Sequence, residues 1–228
     1  MRFGDDMNVG KGLSTEDWGT LRSWYQTNGR HDLPWRVEST PWKILLAETM
    51  LRRTRAHQVA RCFEQLSRRF GSPEEVVVSE EEWLSHSRYL GLTWRAKLFW
   101  RTCKELVDSH GGKIPRDGSE LTGLPGVGHY TAAAVRCFGF GTPEILVDTN
   151  TIRVAGRVAG VKLKTEAHKN RSLREHVASL GEGTAGFDAQ DNYALLDLAG
   201  IVCTKLHPSC RSCPIMNSCQ FGSSLKES

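Results

Sequence analysis

Four cysteines crowd into the 17 residues from Cys203 to Cys219, spaced C-x6-C-x2-C-x5-C through Cys210 and Cys213. The intervening segment has too few large apolar side chains to build a core of its own, so something else must hold it. Thiolates at such short intervals can turn back onto one metal centre. A disulfide framework does not fit. The cysteine total is odd at seven, and the first twelve residues carry Asp5 and Asp6 with no apolar stretch of the kind a secretory signal needs. A reducing, cytoplasmic setting is therefore expected, nucleoid-associated in a prokaryote. Structural zinc usually pairs two short knuckles across a long gap, whereas only one C-x2-C knuckle occurs here; a [4Fe-4S] cluster fits better, with zinc as the competitor. Cys62, Cys103 and Cys137 fall on helical windows and read as small core hydrophobes.

Elsewhere apolar residues recur at three-and-four spacing, which predicts helix after helix joined by short polar connections. Ser14 caps a first helix bearing Trp18, Leu21 and Tyr25, closed by Gly29; others start near Pro41 and span about 56–70, 80–87, 94–109, 129–138, 149–159, 166–180 and 189–202. The best strand signal, Ile145 to Val147, is isolated, so the fold class is all-α. With 228 residues the chain can bury a sizeable core, and its longest apolar runs fall far short of the roughly 20 residues of a membrane span. A formal net charge of +4 is compatible with an anionic partner without identifying one.

Leu124-Pro125-Gly126-Val127-Gly128-His129-Tyr130-Thr131 is the second informative segment. Two glycines two apart allow a tight turn with backbone N–H groups facing outward, and the helix that follows adds its positive end. On DNA such a turn holds a phosphate without reading sequence. Alone, it reads equally as an ordinary corner between helices.

The LPGVG-x-Y-T hairpin, an aspartate 18 residues after Tyr130 in Val147-Asp148-Thr149-Asn150, and the four-cysteine spacing together resemble the helix-hairpin-helix DNA glycosylases of the endonuclease III and MutY superfamily. The likeness runs from Leu33-Pro34-Trp35-Arg36 to Cys219. It implies two helical lobes with a DNA-binding cleft between them: a six-helix barrel over 32–142, and a discontinuous lobe of 1–31 and 143–228 that carries the iron-sulfur loop at 203–219. It also implies a monomer acting on double-stranded DNA with a mismatched or damaged base, and no membrane.

Such an enzyme must flip a nucleotide out of the duplex and stabilise the positive charge that builds on the sugar as the base leaves. Asp148 is the candidate carboxylate, although an Asp before a helix is also a good N-cap. Asn150 can orient it, with capping as the equal reading. The resemblance places a Schiff-base lysine of bifunctional members where Tyr130 stands, and a phenol has no nitrogen for an imine, so a monofunctional enzyme without strong AP-lyase activity is expected. Tyr130 can still donate a hydrogen bond to sugar, phosphate or base. Glu48 matches a catalytic glutamate of MutY-type enzymes; the alternative is an exposed pair with Arg52 at i+4. Gly126, Val127, Gly128, His129, Arg52 and Arg53 are the expected DNA contacts, Arg53 first among those that fill the gap left by a flipped base. Trp42 and Tyr89 are candidates to stack on that base.

Base choice follows from finer likeness. Adenine enzymes have Gln-Gln where Arg52-Arg53 stand and Gly-Tyr-Tyr where Gly91-Leu92-Thr93 stand, together with a further carboxyl-terminal domain, whereas this chain ends nine residues after Cys219. Leu51-Arg52-Arg53-Thr54 and Leu90-Gly91-Leu92 look more like the MIG-type mismatch-specific thymine/uracil glycosylases. Excision of T or U opposite G is the expectation. A MutY-like adenine glycosylase and a catalytically inactive, cluster-bearing DNA-binding module are the alternatives.

Overall fold

The computed structural model describes residues 12–88, 93–161, 177–178, 180–181 and 187–225. Tyr89, the Leu90-Gly91-Leu92 run, most of the helix expected over 166–180 and the amino-terminal acidic stretch lie outside them. Every regular element among the described residues is helical, and none is long and apolar enough to cross a membrane. The chain divides into two compact units, Arg30–Glu144, and Met1–Gly29 with Ile145–Ser228.

The continuous unit contains α2 (Pro34–Val37), α3 (Pro41–Leu51), α4 (Ala56–Arg69), α5 (Pro73–Val78), α6 (Glu80–Arg88), α7 (Thr93–His110), α8 (Gly118–Gly123) and α9 (His129–Ala134). Four of these starts are written in plain chemistry. Pro lies in the first turn of α2, α3 and α5, and Asp117 caps α8 by accepting from the Ser119 and Glu120 amides at 2.8 and 3.0 Å. The short α2, α5 and α8 escape a periodicity search because four to six residues do not complete two turns. A chain of rings fills the interior: Trp42 on Phe99 (centroids 5.6 Å apart), Phe99 on Trp83 (5.2 Å) and Trp83 on Phe70 (5.3 Å). Their indole N–H groups are satisfied, Trp42 by the Phe70 carbonyl and Trp83 by the Ala96 carbonyl, each at 2.9 Å. Trp42 is therefore a core residue and has no free face for a flipped base. α9 continues through a π-helical turn, Val135–Gly139, where a Cβ on Gly139 would lie 2.7 Å from the Pro41 backbone; only glycine lets the two segments approach so closely.

The discontinuous unit contains α1 (Thr15–Asn28), α10 (Thr149–Val158), α11 (Ala189–Asp197) with a π-helical extension Leu198–Val202, two 3-10 turns and α12 (Gln220–Ser224). Ser14 and Asp17 form the capping box of α1. Gly29 ends α1 in an extended conformation; its value is space, since a Cβ there would lie 2.6 Å from the Tyr25 ring and carbonyl. Arg22 grips the fully buried Asp191 of α11 with two bonds of 2.6 and 2.8 Å, and Trp18 Nε1 donates to the Leu180 carbonyl at 2.6 Å. A buried carboxylate stripped of that partner would be strongly destabilising. Ile145 to Val147 is an extended connection and not a strand: with no neighbouring strand described, the Leu146 N–H donates to Asn192 Oδ1 at 3.1 Å.

Candidate active site and cluster loop

In the continuous unit the hairpin turn between α8 and α9 is pinned by its carbonyls. Gly126 takes a positive φ of 77°, and a Cβ there would strike the Leu98 side chain at 2.7 Å. The Thr102 hydroxyl lies 2.6 Å from the Pro125 carbonyl oxygen, and Arg52 donates to the Gly126 carbonyl and, at 3.2 Å, to Thr131 Oγ1. The Val127 N–H closes the turn by donating to the Leu124 carbonyl at 3.0 Å. Gly128 N-caps α9 with no side-chain acceptor, and His129 beside it is exposed. Val127 is 7% exposed and anchors the turn by its side chain. Thr102 gave no signal in the sequence, being one polar residue on the inner face of a long helix.

Arg52 is half-buried. Burial lowers its pKa, and the nearby Glu48 carboxylate opposes that by favouring the charged form. The i+4 relation of Glu48 and Arg52 is thus real, but the guanidinium points into the hairpin and not into solvent. Arg53 adopts φ 58°, the left-handed region that costs a side-chain-bearing residue strain, and is exposed. Tyr130 lies half-buried in the first turn of α9.

In the discontinuous unit Asp148 N-caps α10. Its Oδ1 accepts from the Asn150 and Thr151 amides, both at 2.8 Å, and its Oδ2 from Asn150 Nδ2 at 2.7 Å, so the cap and the oriented carboxylate are one arrangement. The Asn150 carbonyl oxygen accepts from Arg153 Nη1 at 3.1 Å. Arg153 in turn donates through Nε to the Cys203 carbonyl and through Nη2 to the Ala199 carbonyl, both at 2.9 Å. A continuous polar chain thus joins Asp148 to the first cysteine of the loop. Arg153 was invisible to sequence reasoning; only the fold puts the i+5 turn at Leu198–Val202 within its reach.

Cys203, Cys210, Cys213 and Cys219 line one small cavity with Met216, Phe221 and Arg157, and all four are unbridged. Arg157 Nη1 donates to Cys203 Sγ at 3.1 Å, and the Gly222 N–H to Cys219 Sγ at 3.4 Å. Burial pushes the Cys213 thiol up to about 11. Four soft donors around a water-poor cavity, with a guanidinium and an amide aimed at sulfur, fit an anionic iron-sulfur group. Among the described residues no group of three or more His, Cys, Asp or Glu side chains meets the geometry of a single metal ion. Cys103 and Cys137 are buried as expected, while Cys62 is only half-buried on α4.

Residues 109–138 match the helix-hairpin-helix motif family. The chain is 37% identical over 204 residues to a thymine-DNA glycosylase of Aeropyrum pernix, covering 88% of this chain and 92% of that protein. It is 39% identical over 202 residues to a thymine/uracil-DNA glycosylase of Pyrobaculum aerophilum, covering 87% and 88% respectively. The solved structure of a thermostable thymine-DNA glycosylase superposes with a TM-score of 0.82 at 29% identity, over 91% of this chain and 95% of that one. Fold and relatives together identify a DNA glycosylase of base excision. The chain belongs to the helix-hairpin-helix family of these enzymes, in the group that contains the thymine and thymine/uracil glycosylases.

Proposed function

We propose that the protein hydrolyses the N-glycosidic bond of thymine or uracil mispaired with guanine, as a monofunctional glycosylase. The observation that carries the hydrolytic reading is the Asp148 carboxylate, whose two oxygens accept from two backbone amides and one side-chain amide at 2.7 to 2.8 Å. These bonds fix the carboxylate at the amino-terminal end of α10. A fixed anion of this kind stabilises the electron-poor sugar that develops as the base departs. Glu48 supplies the proton donor or water-orienting group, and Asn150 holds Asp148 in place. Tyr130 donates a hydrogen bond but has no amine for a Schiff base. The hairpin from Gly126 to His129 takes a backbone phosphate through amides other than that of Val127, which the Leu124 carbonyl holds, and Arg53 enters the gap left by the flipped nucleotide.

The base assignment is supported by the relatives from Aeropyrum pernix and Pyrobaculum aerophilum, a thymine-DNA and a thymine/uracil-DNA glycosylase. The four loop cysteines are proposed to hold a [4Fe-4S] cluster, which would brace a segment that has no core of its own and supply local positive surface through Lys205, His207 and Arg211. Single-turnover excision on G·T, G·U, A·G and A·oxidised-guanine duplexes tests the reading: cleavage confined to the first two is expected, and removal of adenine alone would overturn it.

A further inference from the structure

All seven tryptophans lie among the described residues, and six of them are buried or half-buried; Trp94, in the first turn of α7, is 62% exposed. It is the one exposed Phe, Tyr or Trp side chain among the described residues. Its surroundings are cationic. Arg95 lies 5.9 Å from the Trp94 ring centroid, is itself 8% exposed, and has an Nε with no hydrogen-bond partner. Burial, and after it the nearby Arg52 and Arg53, disfavour the Arg95 charge, and Arg52 and Arg95 share a small cavity with Gly126 of the hairpin. The carboxylate that faces this group is Glu48, beside Arg52. Farther along α7, Lys97, Arg101 and Lys104 fall three, seven and ten residues after Trp94, on the same side of the helix, and all are exposed; Lys104 is paired with Asp108 at 2.7 Å.

We propose that Trp94 is a stacking residue for DNA, its indole lying on a nucleobase left unpaired when the target nucleotide is flipped. The charge pattern selects a polyanion, and an exposed aromatic ring on a basic corner is the arrangement that holds an unstacked base in proteins that bind single strands. The contact is continuous with the hairpin through Arg52. The inference rests on the glycosylase reading above.

The test uses full-length protein and a duplex with a tetrahydrofuran abasic analogue opposite guanine, compared with the fully paired duplex. Trp94→Ala should weaken binding to the abasic duplex by about tenfold, the size of one base–aromatic stack, and leave the paired duplex nearly unaffected. Trp94→Phe should recover most of the loss. Acrylamide quenching of wild-type emission should fall when the abasic duplex is added, and Trp94→Phe should remove that change. Equal loss on both duplexes, no loss on either, or a change in self-association without a change in DNA affinity would overturn the assignment. Wild-type excision of G·T with no effect of Trp94→Ala on abasic binding would sink the Trp94 role alone. Wild-type protein that neither binds nor cleaves mismatched DNA would sink both readings.

Discussion

The Thr102 hydroxyl holds the Pro125 carbonyl at 2.6 Å, fixing from inside the protein the turn between α8 and α9. Thr102→Val keeps the shape and leaves a carbonyl unpaired. It should cost about 1–3 kcal/mol in denaturant unfolding. DNA binding should weaken by a similar factor for matched and mismatched duplexes alike, since a phosphate contact carries no sequence information. Weakening confined to mismatched DNA would contradict this account of the hairpin.

Asp148→Asn separates the two jobs of that residue. Asparagine is as good an N-cap as aspartate, so α10 and the overall stability should persist. Single-turnover excision should fall by roughly 10²–10³-fold, the usual cost of losing one preorganised stabiliser of transition-state charge. DNA affinity should hold or rise, because an anion near phosphates has been removed. Wild-type rates in this variant would exclude Asp148 from the chemistry.

Tyr130 sets the number of steps. Borohydride added during turnover on a G·T duplex should trap no covalent protein–DNA adduct, and strand breaks should appear only after alkali. A trapped adduct would show an amine nucleophile at work and refute the monofunctional assignment.

The cysteine loop should make the protein brown, with about four irons per chain and thiolate-to-iron absorption in the visible range. Arg157→Gln removes the donor 3.1 Å from Cys203 Sγ and should lower iron retention on dilution. Stripping the metal should destabilise the discontinuous unit, since metal affinity is folding free energy for a loop with no core. Stoichiometric zinc without iron would overturn the cluster.

Hydrogen bonds from the Ser119 hydroxyl and then the Glu120 and Ser119 amides hold the Asp117 carboxyl below its ordinary pKa, with Arg136 helping. A depressed folded-state value means the cap stabilises above the unfolded value of about 3.9 and loses that contribution as pH falls through the folded one. The stability advantage of wild type over Asp117→Asn, measured by urea unfolding, should therefore be present at about pH 6 and vanish toward about pH 2. An advantage independent of pH would contradict the cap.

Helices long enough to show a repeat were legible from residue types alone, as were the hairpin glycines and the metal-spaced cysteines. What could not be read were contacts made by side chains pointing inward from ordinary-looking positions. Thr102 and Arg153 look like any helix residues until the fold brings a carbonyl to each. Arg52 reads as a DNA contact, and only the fold shows that its Nη2 also donates to the Gly126 carbonyl and Thr131 Oγ1. Trp42 looked available for stacking, but packing with Phe99 and a bond to Phe70 commit it to the interior. Polar pattern records that a group exists; only topology decides what it meets.

One unit takes helix α1 from the start of the chain and everything else from beyond Glu144. During synthesis α1 emerges with Trp18 and Leu21 bared, and its partner α11 follows only after residues 30–144 have been made, a wait on the order of ten seconds at typical ribosome speeds. The inserted unit has all its own residues by then and can fold first. Completion of the lobe that bears the cysteines thus waits until the whole inserted unit has been made.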